Sequence, residues 1–334
     1  MCKSGPARWR TVASGGMALV LVLAVSACGG GSDTGSGEAD AGTAGQEVTD
    51  ATATDTAADA VVVANESLSA VDAAVLTVES VVLAQATATP SAVVVRVPVA
   101  CPGGGSALLS ISGGTAGSVS NGQLDAGEAY SVEFSDCRLA TASTTLNGAL
   151  SFSVDSLSND EAQLSMGLQS LSAQLALGTV TLSGDVMWQG SRSAVGSAGV
   201  ATGGLTSHLA ADQLAISTVS GARAGSFELR TLDVVREVFW ANGLPTSSSM
   251  NGRYVFAATN PRNSFEASVT TSGSTQFGAD GLPSAGDWQI SLTSWAMGMS
   301  VSADTVTLSI DQGNNGTVDR SLTFSRTQLA DDAG

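Results

Sequence analysis

A chain of 334 residues with a net charge of −17 and only 13% charged side chains is a poor partner for nucleic acid or anionic lipid head groups, which need a basic surface. Its 43% hydrophobic content comes with 39 glycines and abundant Ser, Thr, Ala and Val, a mixture that favours strands and turns over a helix bundle.

The chain opens with Lys3, Arg8 and Arg10, followed by an apolar run from Met17 to Val25. A basic start, a short apolar core and small residues before a break describe a secretory signal, and the core is too short to span a bilayer as a helix. The closing residues Val25-Ser26-Ala27-Cys28 resemble the lipobox of bacterial lipoproteins. That resemblance implies cleavage after residue 27, acylation of Cys28 and a stable anchor of two or three acyl chains. With Gly29 rather than aspartate after the cysteine, the sorting rule of such lipoproteins implies the outer membrane of a Gram-negative bacterium, facing the periplasm or the cell surface. Loss of residues 1–27 would leave 10 basic against 30 acidic side chains. It would also leave Cys101 and Cys137 as the only thiols besides Cys28. Outside the cytoplasm such a pair is expected to form a disulfide, and neither a CxxC spacing nor clustered histidines suggest a redox or metal role.

Residues 28–60 are Gly, Ala, Thr, Ser and acids without aromatic or basic side chains, a composition expected of a disordered acidic tether. In residues 61–91 the period changes: Val61, Ala64, Leu68, Val71, Val75, Val78 and Val82 recur at steps of three and four. With Ser69 and Asp72 as a capping box, this predicts one amphipathic helix over about 68–86, ended by Thr89-Pro90. Its many β-branched residues leave a strand as the alternative.

Residues 92–328 change period again, to two. Leu146, Leu150, Phe152 and Val154 alternate with polar neighbours, as do Val180, Leu182, Val186 and Trp188, and similar runs continue to Phe324. The apolar parity flips between Leu168 and Leu171 and between Leu292 and Trp295, as a bulge or tight turn would cause. Three times, at Gly148, Gly184 and Gly252, a glycine on the apolar face precedes an aromatic by four residues. Such a glycine makes room for a ring lying across the strand or for a sharp bend. Thr231 to Gly243 reads equally well as a short helix ending at its glycine. The expected fold is all-β in the main: a large curled antiparallel sheet, half-open barrel or sandwich, with one N-terminal amphipathic helix on an apolar face. A transmembrane barrel is disfavoured by the scarcity of aromatics for two girdles, and residues 329–334 are expected to be a disordered tail.

Cys101-Pro102-Gly103-Gly104-Gly105, then Gly122 to Glu128, Val132 to Cys137 and Leu146-Asn147-Gly148 stand in that order. Together they resemble uncharacterised β-rich exported proteins of Gram-negative bacteria, mainly over residues 101–154, which implies a class and no activity.

Candidate chemistry is sparse. His208 is the only histidine, which excludes a multi-histidine metal site and makes any Ser-His-Asp triad hinge on it. No GxSxG elbow, Walker loop or strand-borne GxGxxG occurs, and Asp160-Glu161 reads as solvated surface. Asp311 to Asp319 has Asp, Asn, Gly and Asp where a calcium loop wants them, with Thr317 supplying a carbonyl. Gly313 and Leu322 replace two expected oxygen ligands. A weak calcium site at Asp311, Asn315, Thr317 and Asp319 therefore competes with a plain Asn-Gly hairpin, and no other cofactor is expected. The chain reads as a lipid-anchored cell-envelope protein, a non-enzymatic structural or interaction module with an unidentified envelope partner. The alternative is a periplasmic carrier or chaperone for an apolar ligand, lipid or lipoprotein, in a half-open barrel.

Overall fold

The computed structural model describes residues 48–86, 96–115, 124–138, 144–158, 161–191, 203–220, 223–241, 244–259 and 264–333. The first of these segments is a single rod: α1 (Asp50–Ala58), a π-helical turn (Asp59–Val63) that holds three consecutive valines, and α2 (Ala64–Ala86). Thr49 caps it, accepting the Thr52 N–H on its hydroxyl at 3.1 Å. The helix therefore starts well before residue 68, and residues 50–60 belong to it rather than to a tether. The reason lies in size: Ala53, Ala57, Ala58 and Ala60 are fully buried, so small side chains that supply little apolar area alone let the helix pack closely.

The helix is also buried on all sides instead of along one stripe. From Thr56 to Val82 only Ser69 and Glu79 escape full burial, as expected of a helix inside a core. Its hydroxyls return to the preceding turn, Ser67 to the Val63 carbonyl, Thr77 to Ala73 and Ser80 to Leu76, so that no polar hydrogen is stranded. The predicted capping box is overturned: Ser69 lies mid-helix and donates to the Asn65 carbonyl, while Asp72 faces the sheet. By length and apolarity Asp50–Val82 could cross a membrane, yet here it is buried within the fold.

Around this rod runs one 15-stranded sheet, antiparallel between all neighbours. Its strands are β1 (Val97–Ala100), β2 (Ser106–Gly113), β3 (Ala129–Arg138), β4 (Thr145–Leu157), β5 (Glu161–Gln174), β6 (Thr179–Ser191), β7 (Gly203–Ser220), β8 (Arg223–Ala241), β9 (Leu244–Thr259), β10 (Ser264–Thr271), β11 (Thr275–Gly278), β12 (Pro283–Ser291), β13 (Ala296–Ser302), β14 (Thr305–Asp311) and β15 (Arg320–Ser325). They follow chain order across the sheet, except that β11 sits off the path against β9 and β12. The two end strands, β1 and β15, do not pair, so the sheet is half-open rather than a closed barrel. Inward residues of every long strand join the helix in one core, with Tyr130 stacked on Phe152 and Phe256 between Phe227 and Phe265.

Bulges bend the long strands where the sequence marks them. The flip after Leu168 is a register break against β6, with Ser170 at φ 51°. The flip after Leu292 is the tight β12–β13 turn, closed by the Leu292 N–H on the Trp295 carbonyl. The three recurrent glycines serve the bend and not a ring. A Cβ on Gly148, Gly184 or Gly252 would meet the backbone oxygen of Ser170, Gln213 or Asp233 at 2.1, 2.7 and 2.2 Å, so only glycine lets the neighbouring strand approach. Residues 231–241 are strand, not helix. Leu232, Val234, Val238 and Trp240 are buried while Val235 and Phe239 are 47% and 44% exposed, so the three-and-four spacing of Leu232, Val235 and Phe239 mixes two faces of a strand.

Cys101, just beyond β1, and Cys137 in β3 are disulfide-bonded with Cα atoms 5.4 Å apart. Closing a loop of 36 residues stabilises the fold by about 4 kcal/mol on the chain-entropy model. The C-terminus also departs from expectation. Residues 326–332 form α3 (Arg326–Asp332), held by the fully buried Leu329 and packed on α1.

Candidate functional site

Of the sequence-derived sites, Cys28 lies outside the described residues, as does Asp160. The Asp311–Asp319 segment is the β14–β15 connection, and it gathers its oxygens around its own backbone. Asp311 Oδ1 accepts the N–H groups of Gly313 (3.2 Å) and Asn315 (3.0 Å), and Oδ2 that of Gly316 (2.6 Å). Asp319 Oδ2 accepts from Gln312 at 2.8 Å and Asn315 Oδ1 from Thr317 at 2.9 Å. Burial pushes the Asp311 carboxyl up, but these backbone donors outweigh it and hold the group below its ordinary range. A carboxylate so engaged organises a turn. Among the described residues no group of three or more His, Cys, Asp or Glu is placed to hold a metal ion. His208 faces outward from β7, its Nε2 2.8 Å from Asp233 Oδ1, with Arg253 a further 3.7 Å from that carboxylate's other oxygen. Glu161 opens β5 and its N–H donates to the Ser158 hydroxyl at 3.0 Å.

The polar centre of the molecule is elsewhere, between the helix and the sheet. Arg236 of β8 is 1% exposed and Asp72 of α2 likewise, and Arg236 Nε donates to Asp72 Oδ2 at 3.0 Å. Arg236 Nη1 donates to Asn65 Oδ1 and Nη2 to Ser69 Oγ, each at 3.0 Å. The other Asp72 oxygen accepts from Ser207 Oγ of β7 at 3.0 Å and Trp188 Nε1 of β6 at 3.4 Å. Burial pushes the Asp72 carboxyl up and the Arg236 guanidinium down; each is pulled back by the other, and Ser207 and Trp188 help hold the carboxylate. Towards the start of the helix, Tyr254 of β9 donates to the Ala60 carbonyl at 2.8 Å, its hydroxyl pushed up by burial. Polar contacts from β6, β7, β8 and β9 thus fix the helix's register inside the sheet.

Beside this network lies a cavity of about 80 Å³, lined among others by Asn65, Glu66, Ser69, Trp240, Ser247 and Ser248. Glu66 is 7% exposed. Burial pushes its carboxyl up to about 7, against the smaller opposing effect of the Leu177 N–H. No cation among the described residues pairs with it. Two further spaces along the helix measure about 20 Å³ each. A wider depression of about 610 Å³ lies over β4 to β8, with Ser151, Ser165, Gly167, Asp185, Met187 and Asp212 in its lining.

Sequence reasoning missed this centre. The Ser-x-x-Asp spacing made Asp72 look like a capping residue, and Arg236 fell in a stretch with two readings. The available signal was an arginine at a buried parity, flanked at two-residue steps by Val234 and Val238. Comparison of the chain with protein-family models finds no match, and neither do comparisons with curated proteins and with solved structures.

Proposed function

We propose that this is a lipid-anchored cell-envelope protein acting as a non-enzymatic structural or interaction module, probed by its partners from outside the sheet. The observation that carries this reading is that the inner face of the sheet is already occupied by the chain's own helix, pinned through Asp72 and Arg236. Outward positions of the long strands, such as Thr206, Ser217, Ser226, Asp233 and Glu237, are polar and exposed, as suits a solvated surface. The anchor rests on Val25-Ser26-Ala27-Cys28 and on the lipoprotein resemblance. The carrier alternative faces a volume objection. Inside the sheet, spaces of about 80 and 20 Å³ along the helix fall well below the roughly 300–1,000 Å³ of ordinary ligand pockets, and the depression of about 610 Å³ is lined by exposed Ser165, Asp185 and Asp212 rather than enclosed by the sheet.

Fractionation with intact-mass measurement tests the anchor. Wild type is expected in the membrane fraction with the mass of an acylated chain beginning at residue 28, and Cys28→Ala outside that fraction or unprocessed. Equal mass and distribution for the two would sink it. Native mass spectrometry tests the module against the carrier: an interior filled by the helix predicts no stoichiometric co-purified lipid beyond the covalent acyl chains.

A further inference from the structure

Glu66 is an acid in a place that protein interiors avoid, because a buried carboxylate without a cation must either neutralise or find a partner. The cations of the elements packed around it are already engaged. On α2 and β8, Asp72 and Arg236 satisfy each other. At the turn after β11 and on α3, Asp280 pairs with Arg326, and the remaining charges of α3, Asp331 and Asp332, are themselves acidic. The surroundings thus supply no spare positive charge. Glu66 lines the 80 Å³ cavity together with hydroxyl-bearing Ser69, Thr144, Ser247 and Ser248, with Leu175 and Val238, and with Trp240, whose buried indole N–H has no partner among the described residues.

We infer that this cavity is a binding site for a small primary amine, with the Glu66 carboxylate and neighbouring hydroxyl oxygens accepting from the ammonium and the Leu175, Val238 and Trp240 wall covering its short apolar stem. An ammonium brings three donors and one positive charge, which matches one unpaired carboxylate among hydroxyl acceptors. The size follows from volume. A cavity of about 150 Å³ takes benzene, so about half that volume takes a molecule of three or four heavy atoms. A divalent metal is disfavoured by donor count: such ions want about six oxygen ligands, and no three acidic groups converge here among the described residues. The raised affinity of Glu66 for protons gives the site a signature, since proton and ammonium compete for one carboxylate.

Titration of the full-length protein with ethylammonium, followed by calorimetry and by the shift of melting temperature, tests the inference. Binding is expected at pH 8.5, weakening about thirtyfold by pH 5.5 as Glu66 takes up a proton, while the amine stays charged throughout. Ethanol, matched in size and neutral, is expected not to bind, potassium chloride not to compete, and Glu66→Gln to remove binding while leaving the circular-dichroism spectrum unchanged. Failure of ethylammonium to bind at pH 8.5, equal binding by Glu66→Gln, or mole-for-mole competition by potassium would each overturn it, the last by making the site one for a metal cation. Should Glu66→Gln not fold, the wild-type pH profile decides: an affinity independent of pH between 5.5 and 8.5 excludes Glu66 as the acceptor.

Discussion

At Arg236 each of the three guanidinium nitrogens has an acceptor, and all three acceptors, Asp72, Asn65 and Ser69, stand on α2. Burial of both charges costs free energy that their attraction offsets only when every lone pair and hydrogen is used. Removing one member therefore hurts more than removing both. Arg236→Met, which leaves Asp72 without its cation, is expected to lose about 3–5 kcal/mol in urea unfolding, and Asp72→Leu with Arg236→Met to recover most of that loss. A double variant as unstable as the single one would mean that the charge on Asp72 is not the source of the cost. Glu66 makes the opposite kind of prediction. Its folded pKa of about 7 lies above its ordinary 4.5, so between those values the folded state holds more protons than the unfolded one. Stability is then full below pH 4.5 and declines as pH rises through 7, by about 3 kcal/mol in all. The corresponding stability curve of Glu66→Gln is expected to lack that decline, and a wild-type curve flat over the same window would show Glu66 to be solvated. Neither residue announced itself in sequence. Asp72 and Arg236 are 164 positions apart, and no local spacing encodes a pair that only the sheet's curvature brings together.

The strands were the most legible elements, because each has one face in water and one in the core and so writes its period directly into the sequence. The same logic exposed the bulges, since an extra residue must flip the parity: Leu168 and Leu171 are both buried on β5 with Ser170 at positive φ between them. The helix was legible only in its middle, where valine and leucine repeat; its first turns, built on alanine and threonine, carry little hydrophobic signal and owe their order to the surrounding sheet. The glycine bends can be tested against a glycine in a turn where no neighbouring strand approaches. Gly148 and Gly273 both have φ of 91°, but a Cβ on Gly148 would strike the Ser170 carbonyl oxygen at 2.1 Å, while one on Gly273 meets nothing within 4 Å. Gly273→Ala is expected to cost about 1–2 kcal/mol, the conformational penalty alone, and Gly148→Ala distinctly more. Equal losses would mean that β5 yields freely and that the glycine is not needed for the approach. The β14–β15 connection makes a further prediction from its hydrogen bonds. Because Asp311 and Asp319 already accept backbone N–H groups, millimolar calcium is expected to raise the melting temperature by less than about 2 °C, and Asp311→Ala to destabilise the turn without calcium present. A large calcium shift lost in Asp311→Ala would restore the ion-binding reading.

For the molecule as a whole, the question is whether the sheet can exist without its helix. A half-open sheet whose end strands do not pair cannot shield its inner face by closing, and that face presents Leu150, Leu182, Leu214, Leu229, Phe256, Ile290 and Leu308, all buried. Exposing such a surface would cost about 25 cal/mol for each Å² of apolar area, and the helix is what now covers it. It does so from within one compact unit, residues 45–334, with Arg236 and Tyr254 pointing at acceptors that only the helix provides. Removing residues 48–86 should therefore strand a buried guanidinium and a phenol while opening the core. The deletion variant is expected to be insoluble or to bind a hydrophobic dye with loss of cooperative unfolding, and a synthetic peptide of residues 48–86 added during refolding to restore a cooperative transition. A deletion variant that stayed soluble and melted cooperatively would reveal a sheet stable around an empty apolar interior. That outcome would remove the volume objection to a carrier and make displacement of the helix by an apolar ligand the next quantity to measure.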